Sequence, residues 1–262
     1  QLELGVMYEF GHYVDPDAEK AIHYFTLALN HSNINGYCNF CLGRIYENKE
    51  FGTFNMEKAL LNYQISADQN FPYDQNRLGE LLFQGEYVEK DLKKAYEYIR
   101  LAAEQNFDEA QYNLGIIYLS DDFIQHDYDK AIYYFKLAAN QNNDKALFRL
   151  GMIYQNEELN YFDLNKSLYY YTLASNLNHS QAQFNLGYIY YTGVVKRDIN
   201  RAIHYFTLSA NQNLVGAQYA LGYIYETGEF TSRDIVKSIY YYTLAANQNH
   251  PMSQFSLGLI YS

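Results

Sequence analysis

Ala110-Gln111-Tyr112-Asn113-Leu114-Gly115-Ile116-Ile117-Tyr118 sets the architecture, because its Leu-Gly-x-apolar-Tyr centre returns along the whole chain. The pair stands at Leu4-Gly5, Leu42-Gly43, Leu78-Gly79, Leu114-Gly115, Leu150-Gly151, Leu186-Gly187, Leu221-Gly222 and Leu257-Gly258. Successive intervals are 38, 36, 36, 36, 36, 35 and 36 residues. A fixed period of this size marks a stacked repeat whose units share one continuous core.

Within the stretch, Ala110, Leu114, Ile117 and Tyr118 fall at i, i+4, i+7 and i+8, the apolar stripe of one helix, here helix A. Gly115 removes a side chain where a second helix can come close. After a loop, Asp127 precedes Lys130-Ala131 by three residues, and Tyr134, Leu137, Ala138 and Ala139 continue at helical spacing as helix B. Asp17, Asn55, Asp91, Asp163, Asp198 and Asp234 hold the place of Asp127 in the other units. A short acceptor there bonds the free amides of a first helical turn, so these residues are read as caps and not as catalytic acids. Helix B closes on Asn70, Asn106, Asn142, Asn178, Asn213 or Asn249, a residue type suited to the left-handed turn that sends the chain into the next helix A.

The expected fold is all-α, a solenoid of helical hairpins over residues 1–262. Its units are 1–35, 36–72, 73–108, 109–144, 145–180, 181–215 and 216–251, with a lone helix A in 252–262. The junction from His31 to Gly36 carries two extra residues, and the A-to-B loops vary, some with Gly and others acidic, as at Asp121-Asp122. Unit 73–108 is the least regular, with Asn76 and Leu82 where its neighbours place aromatics.

These residues resemble the Sel-one-like repeat family, a relative of the tetratricopeptide repeats. The likeness rests on Ala110, Leu114-Gly115, Tyr118, Lys130-Ala131, Tyr134 and Ala138-Ala139, and extends over essentially the whole chain. Asn stands where the family usually has a glycine at the end of helix B, and several A-to-B loops lack the family's glycines. The resemblance implies a right-handed superhelix of antiparallel helix pairs, used as a non-enzymatic adaptor or scaffold, with A helices lining the concave face.

Composition narrows the partner. The formal charge of -11, from 19 Lys and Arg against 30 Asp and Glu, disfavours phosphate backbones and anionic lipid. No apolar run is long enough to span a bilayer. Two cysteines are too few for a disulfide framework and lean towards a reducing, cytoplasmic compartment. The expected partner is therefore a protein or peptide, with no nucleic acid, no membrane insertion and no cofactor, and the chain itself is expected to be a monomer. The sequons at Asn30, Asn165 and Asn178 carry no weight in a chain this rich in Asn.

Chemistry finds no obvious home. Cys38 and Cys41 have C-x-x-C spacing, yet no further ligand pair accompanies them, and Cys38 occupies the small core place of Ala110, Ala146, Ala182 and Ala217. The seven His are dispersed, and helical spacing brings no nucleophile and base together. Positions on helix A outside the packing stripe are more informative. Two residues before the Leu there is usually an aromatic, as in Tyr112, Phe148, Phe184 and Tyr219, while the places one before and two after vary. If the fold relationship carries over, Arg44, Arg77, Tyr112, Asn113, Phe148, Arg149, Phe184, Asn185, Tyr188, Tyr219 and Tyr223 face a partner. Tyrosine suits such a surface, burying area at low entropy cost with a polar tip. Tyr133, Tyr169 and Tyr240 on helix B form a second exposed set. A different reading makes the array a regulatory or spacer arm of a larger signalling enzyme, since Gln1 falls inside a repeat and Ser262 follows another Leu-Gly.

Overall fold

A computed structural model describes residues 1–29, 35–120 and 126–262. The sequon at Asn30, most of the junction from His31 to Gly36, and Asp121-Asp122 lie outside them. Among the described residues there are fifteen α-helices, one short 3-10 turn at Lys49–Phe51, and no strand.

Residues 1–138 form one compact unit. It contains α1 (Leu2–Phe10), α2 (Ala18–Ala28), α3 (Asn35–Glu47), α4 (Met56–Asp68), α5 (Pro72–Gln84), α6 (Leu92–Glu104), α7 (Asp108–Leu119) and α8, which runs from Tyr128 to Ala139 at the unit's end. Residues 139–262 form the other. It contains α9 (Asp144–Gln155), α10 (Leu164–Asn176), α11 (Ser180–Thr192), α12 (Ile199–Asn211), α13 (Val215–Thr227), α14 (Ile235–Asn247) and α15 (Pro251–Tyr261). Odd-numbered helices are the A helices and even-numbered ones the B helices.

The local signals act as expected. The side chains of Asp17, Asn55, Asp91, Asp127, Asp163, Asp198 and Asp234 accept from backbone amides three residues on, at 2.9–3.0 Å. Each capping residue also returns its own amide to the end of the preceding helix A, as Asp127 does to the Tyr118 carbonyl at 2.9 Å. Asn70, Asn106, Asn142, Asn178, Asn213 and Asn249 all take positive φ, between 61° and 70°. Cap and left-handed Asn together fold each unit into a hairpin.

Packing departs from the expected stripe by one residue. On α8 it is Phe135, not Tyr134, that is fully buried; Tyr134 lies at the edge, stacked on Tyr118 with centroids 5.7 Å apart. The buried ring explains the Leu-Gly glycines, because a Cβ on Gly115 would stand 2.6 Å from the Phe135 ring. Tyr171, Phe206 and Tyr242 fill the same place against Gly151, Gly187 and Gly222. Within the units, core clusters join B helices to the A helices after them, as Phe25 and Ala28 join Cys38, Leu42 and Ile45, and Phe206 and Ala210 join Ala217, Leu221 and Ile224.

A second repeated element went unread in the sequence. Buried Gln75, Gln111, Gln183 and Gln218, three residues before each Leu, donate to carbonyls at the end of the preceding B helix. Gln105, Gln212 and Gln248 then donate to Gln75, Gln183 and Gln218 at 2.8–2.9 Å. These amides satisfy helix-end carbonyls that packing hides from water.

Candidate functional site

The candidate residues lie on the A helices, and the two compact units treat them differently. In residues 1–138 their polar groups are already matched. Arg44 on α3 pairs with Glu9 of α1 and lies over the rings of Phe10 and Phe40 at 4.9 and 5.0 Å. Arg77 on α5 pairs with Glu47 and, at 2.8 Å, with Glu80. Asn113 on α7 donates to Asn76 at 2.9 Å and to Glu80 at 2.8 Å. Tyr112 is half-buried, its ring 5.8 Å from Phe135. Asn76, one of the irregular residues of unit 73–108, therefore has a place in a polar network in which aromatic packing is replaced by hydrogen bonds.

In residues 139–262 the aromatics two before Leu150, Leu186 and Leu221 serve packing, while Phe255, two before Leu257, is exposed. Phe148 is stacked on His179 with centroids 4.5 Å apart, and Phe184 meets Phe206 at 5.6 Å. Tyr219 lies between Tyr242 at 5.8 Å and His250 at 4.9 Å. Arg149 is half-buried within electrostatic reach of His179. Asn185 lies beside the Tyr171 phenol, which donates to Gln155 at 2.7 Å.

The residues two after each Leu are free of that duty. Met152, Tyr188, Tyr223 and Leu259 are 41, 52, 40 and 59% exposed, one from each A helix of this unit. Between α11 and α13, Tyr188 and Tyr223 stand at the rim of a cavity of about 290 Å³ lined by Phe184, Tyr191, Tyr219 and Ile224. No charged side chain lines it. Between α9 and α11, a second and more polar cavity of about 570 Å³ has Met152, Gln155, Phe162, Asn185 and Val194 in its wall. The charge division agrees: 11 Lys and Arg against 22 Asp and Glu fall in residues 1–138, and eight of each in 139–262. The whole net charge belongs to the first unit.

The remaining candidates resolve as packing or surface. Cys38 and Cys41 are fully buried free thiols. Tyr133, Tyr169 and Tyr240 are 57–59% exposed on their B helices. His179 and His250 cap α11 and α15, each accepting an amide on Nδ1. Among the described residues no group of three or more His, Cys, Asp or Glu could hold a metal ion, and no helix is long and apolar enough to cross a membrane.

The Sel1 repeat profile matches residues 1–33, 42–71, 72–107, 108–143, 144–179, 180–214 and 215–250. The chain belongs to the Sel1 repeat family. No curated protein sequence matches it. Among solved structures, a protective antigen of uropathogenic Escherichia coli strains displaying an SLR fold is 29% identical, with a TM-score of 0.84. The match covers 99% of this chain and 56% of the antigen, so this chain spans little more than half that protein's length. A Sel1 repeat protein from Oxalobacter formigenes has a TM-score of 0.83 at 24% identity, over 99% of this chain and 75% of that one. An immunity protein from Pseudomonas aeruginosa shares the fold at 15% identity, with a TM-score of 0.52 over 90% of this chain and 88% of its own. Sel1 repeat proteins commonly serve as protein-interaction scaffolds and are generally non-enzymatic.

Proposed function

We propose that this Sel1 repeat chain is a scaffold that holds an apolar segment of another protein against the A helices of residues 139–262. Tyr188 and Tyr223 act as its anchors. The observation that carries the reading is the aromatic cleft between α11 and α13, where these two rings stay exposed although every neighbouring aromatic is used in packing. Large aromatics left in water around a concave apolar space favour burial against a partner, and a few such residues dominate binding energy. An uncharged wall selects an uncharged contact, since a buried charge would lose its hydration without a counter-ion. Phe184 and Tyr219 shape the floor; Phe148, Arg149 and Asn185 extend the surface along α9 and α11. Arg44, Arg77 and Asn113 in residues 1–138 are held by internal partners, and Tyr112 packs on Phe135.

Affinity capture with the chain and with its Tyr188→Ala, Tyr223→Ala form tests the reading. The expected result is a partner held by the first and lost by the second, with equal helical content and melting temperature. Equal retention by both forms would place binding elsewhere, and melting of the double variant would make the two rings part of the core. As a control, Leu150→Ala, which is fully buried, costs about 2–5 kcal/mol of stability.

A further inference from the structure

Asp74 occupies the small core position held by Cys38, Ala110, Ala146, Ala182, Ala217 and Ser253 in the other A helices, and it is completely buried. Its Oδ2 is hydrogen-bonded to the Ser66 hydroxyl of α4, and its Oδ1 has no partner. Ser66 Oγ is also 3.0 Å from the carbonyl oxygen of Gly36 in the first turn of α3. Three helices therefore meet on one serine hydroxyl, which has a single hydrogen to give. If that hydrogen goes to Gly36, the contact with Asp74 needs a second hydrogen, and only the carboxyl can supply it. If it goes to an ionised Asp74, the Gly36 carbonyl loses its side-chain donor and the carboxylate keeps an unpartnered oxygen.

We propose that the junction of α3, α4 and α5 is closed by a protonated Asp74, and that loss of this proton loosens it. In the closed state Asp74 Oδ2–H donates to Ser66 Oγ, and Ser66 donates to Gly36. The charged and titratable groups around the carboxyl reinforce this arrangement. From α3 the nearest cation is Arg44, which is committed to Glu9. From α4 comes only the uncharged Ser66 hydroxyl. On α5 itself, Tyr73 is kept neutral by burial. Burial accordingly pushes the Asp74 carboxyl up to about 7, with the Ser66 bond and the Arg44 charge opposing weakly. Relative to an ordinary Asp near 3.9, the junction holds its proton about a thousandfold more tightly. The switch falls at neutral pH.

The test combines two measurements on the whole chain. Carbon-13 labelling of aspartate follows the Asp74 carboxyl directly between pH 4 and 9. Amide exchange in α3 and α5 is compared between the native chain and Asp74→Asn at each pH, which cancels the intrinsic pH dependence of exchange. A carboxyl midpoint near 7, with protection falling about tenfold or more relative to Asp74→Asn between pH 6 and 8.5, is expected. A midpoint near 4 overturns the proposal. A midpoint near 7 with no relative change in protection overturns the latch. Should Asp74→Asn fail to fold, Asp74→Ala, which copies the residue of four other A helices, replaces it as the proton-insensitive reference.

Discussion

The phenol of Tyr242 on α14 donates to Oε2 of Glu226 on α13 at 2.7 Å. The same bond links Tyr63 to Glu47 at 2.6 Å and Tyr171 to Gln155 at 2.7 Å. In each case the acceptor stands five residues after the Leu of Leu-Gly. Where the buried ring is Phe135 or Phe206, the matching places hold Leu119 and Tyr191 instead. In these five units ring and acceptor change together, because a phenol pushed into the core must bring its hydroxyl to a partner; the first unit departs from this, with Glu9 in the matching place beside a buried Phe25 and paired instead with Arg44.

Removing one member of such a pair leaves the other without its bond. Tyr242→Phe is expected to destabilise the chain by about 1 kcal/mol, and Tyr242→Phe with Glu226→Leu, which copies Phe135 and Leu119, to recover part of it. Urea denaturation in a double-mutant cycle measures the coupling. Additive effects of the two changes would show that the bond contributes nothing net.

Glycine at the helix contact is required only where a buried side chain lies against it, a ring in most units and Ile99 against Gly79. Gly115→Ala places a methyl 2.6 Å from the buried Phe135 ring and is expected to cost about 1–3 kcal/mol. Gly258, on α15, has no atom within 4 Å of such a Cβ. Gly258→Ala is therefore expected to stabilise its helix by about 0.5–1 kcal/mol, the ordinary gain of alanine over glycine. Opposite shifts in thermal melting check both.

His179 makes helix capping sensitive to acid. Its Nδ1 accepts the Ala182 amide at 3.2 Å, which only an unprotonated ring nitrogen can do, and burial holds the imidazole below its usual value. A base whose folded pKa is depressed stabilises the fold fully above its unfolded pKa, near 6.5, and loses that contribution as pH falls below it. His179→Asn copies Asn143, which caps α9 by accepting the Ala146 amide at 2.9 Å. The native chain is expected to lose more stability between pH 7 and 5 than His179→Asn, and parallel curves would sink the assignment.

Both thiols are expected to be inert in the folded chain. Cys38 and Cys41 are fully buried, burial raises both, and Cys41 is pushed up to about 12, so neither presents a thiolate. Iodoacetamide at pH 8 should leave the native protein unmodified and label both residues in guanidinium. Rapid native labelling of Cys41 would mean that α3 opens readily.

Of the candidate surface, the sequence distinguished repeating places on helix A from variable ones, and Tyr188 and Tyr223 are indeed exposed. It could not show that Arg44 belongs to Glu9, because that pair joins α1 to α3 across 35 residues of chain. Nor could it separate Phe184, which packs on Phe206, from Tyr188 one helical turn later. Such distinctions depend on which neighbour covers each face. The glutamine ladder was visible as recurring Gln75, Gln111, Gln183 and Gln218, but a polar residue in a helix reads as surface until its acceptor is known.

By itself, the sequence determined the period, the caps at residues such as Asp127, the left-handed turns at residues such as Asn142, and hence the order of helices. These are local: each depends on dihedral preferences and hydrogen bonds within a few residues. Only the tertiary structure decided that Phe135 and not Tyr134 fills the core, and that Asp74 meets Ser66 and Gly36 in a closed junction. Adjacent residues on a helix point about 100° apart. Which of them is buried is set by where the next helix lies, and no spacing within one helix contains that position.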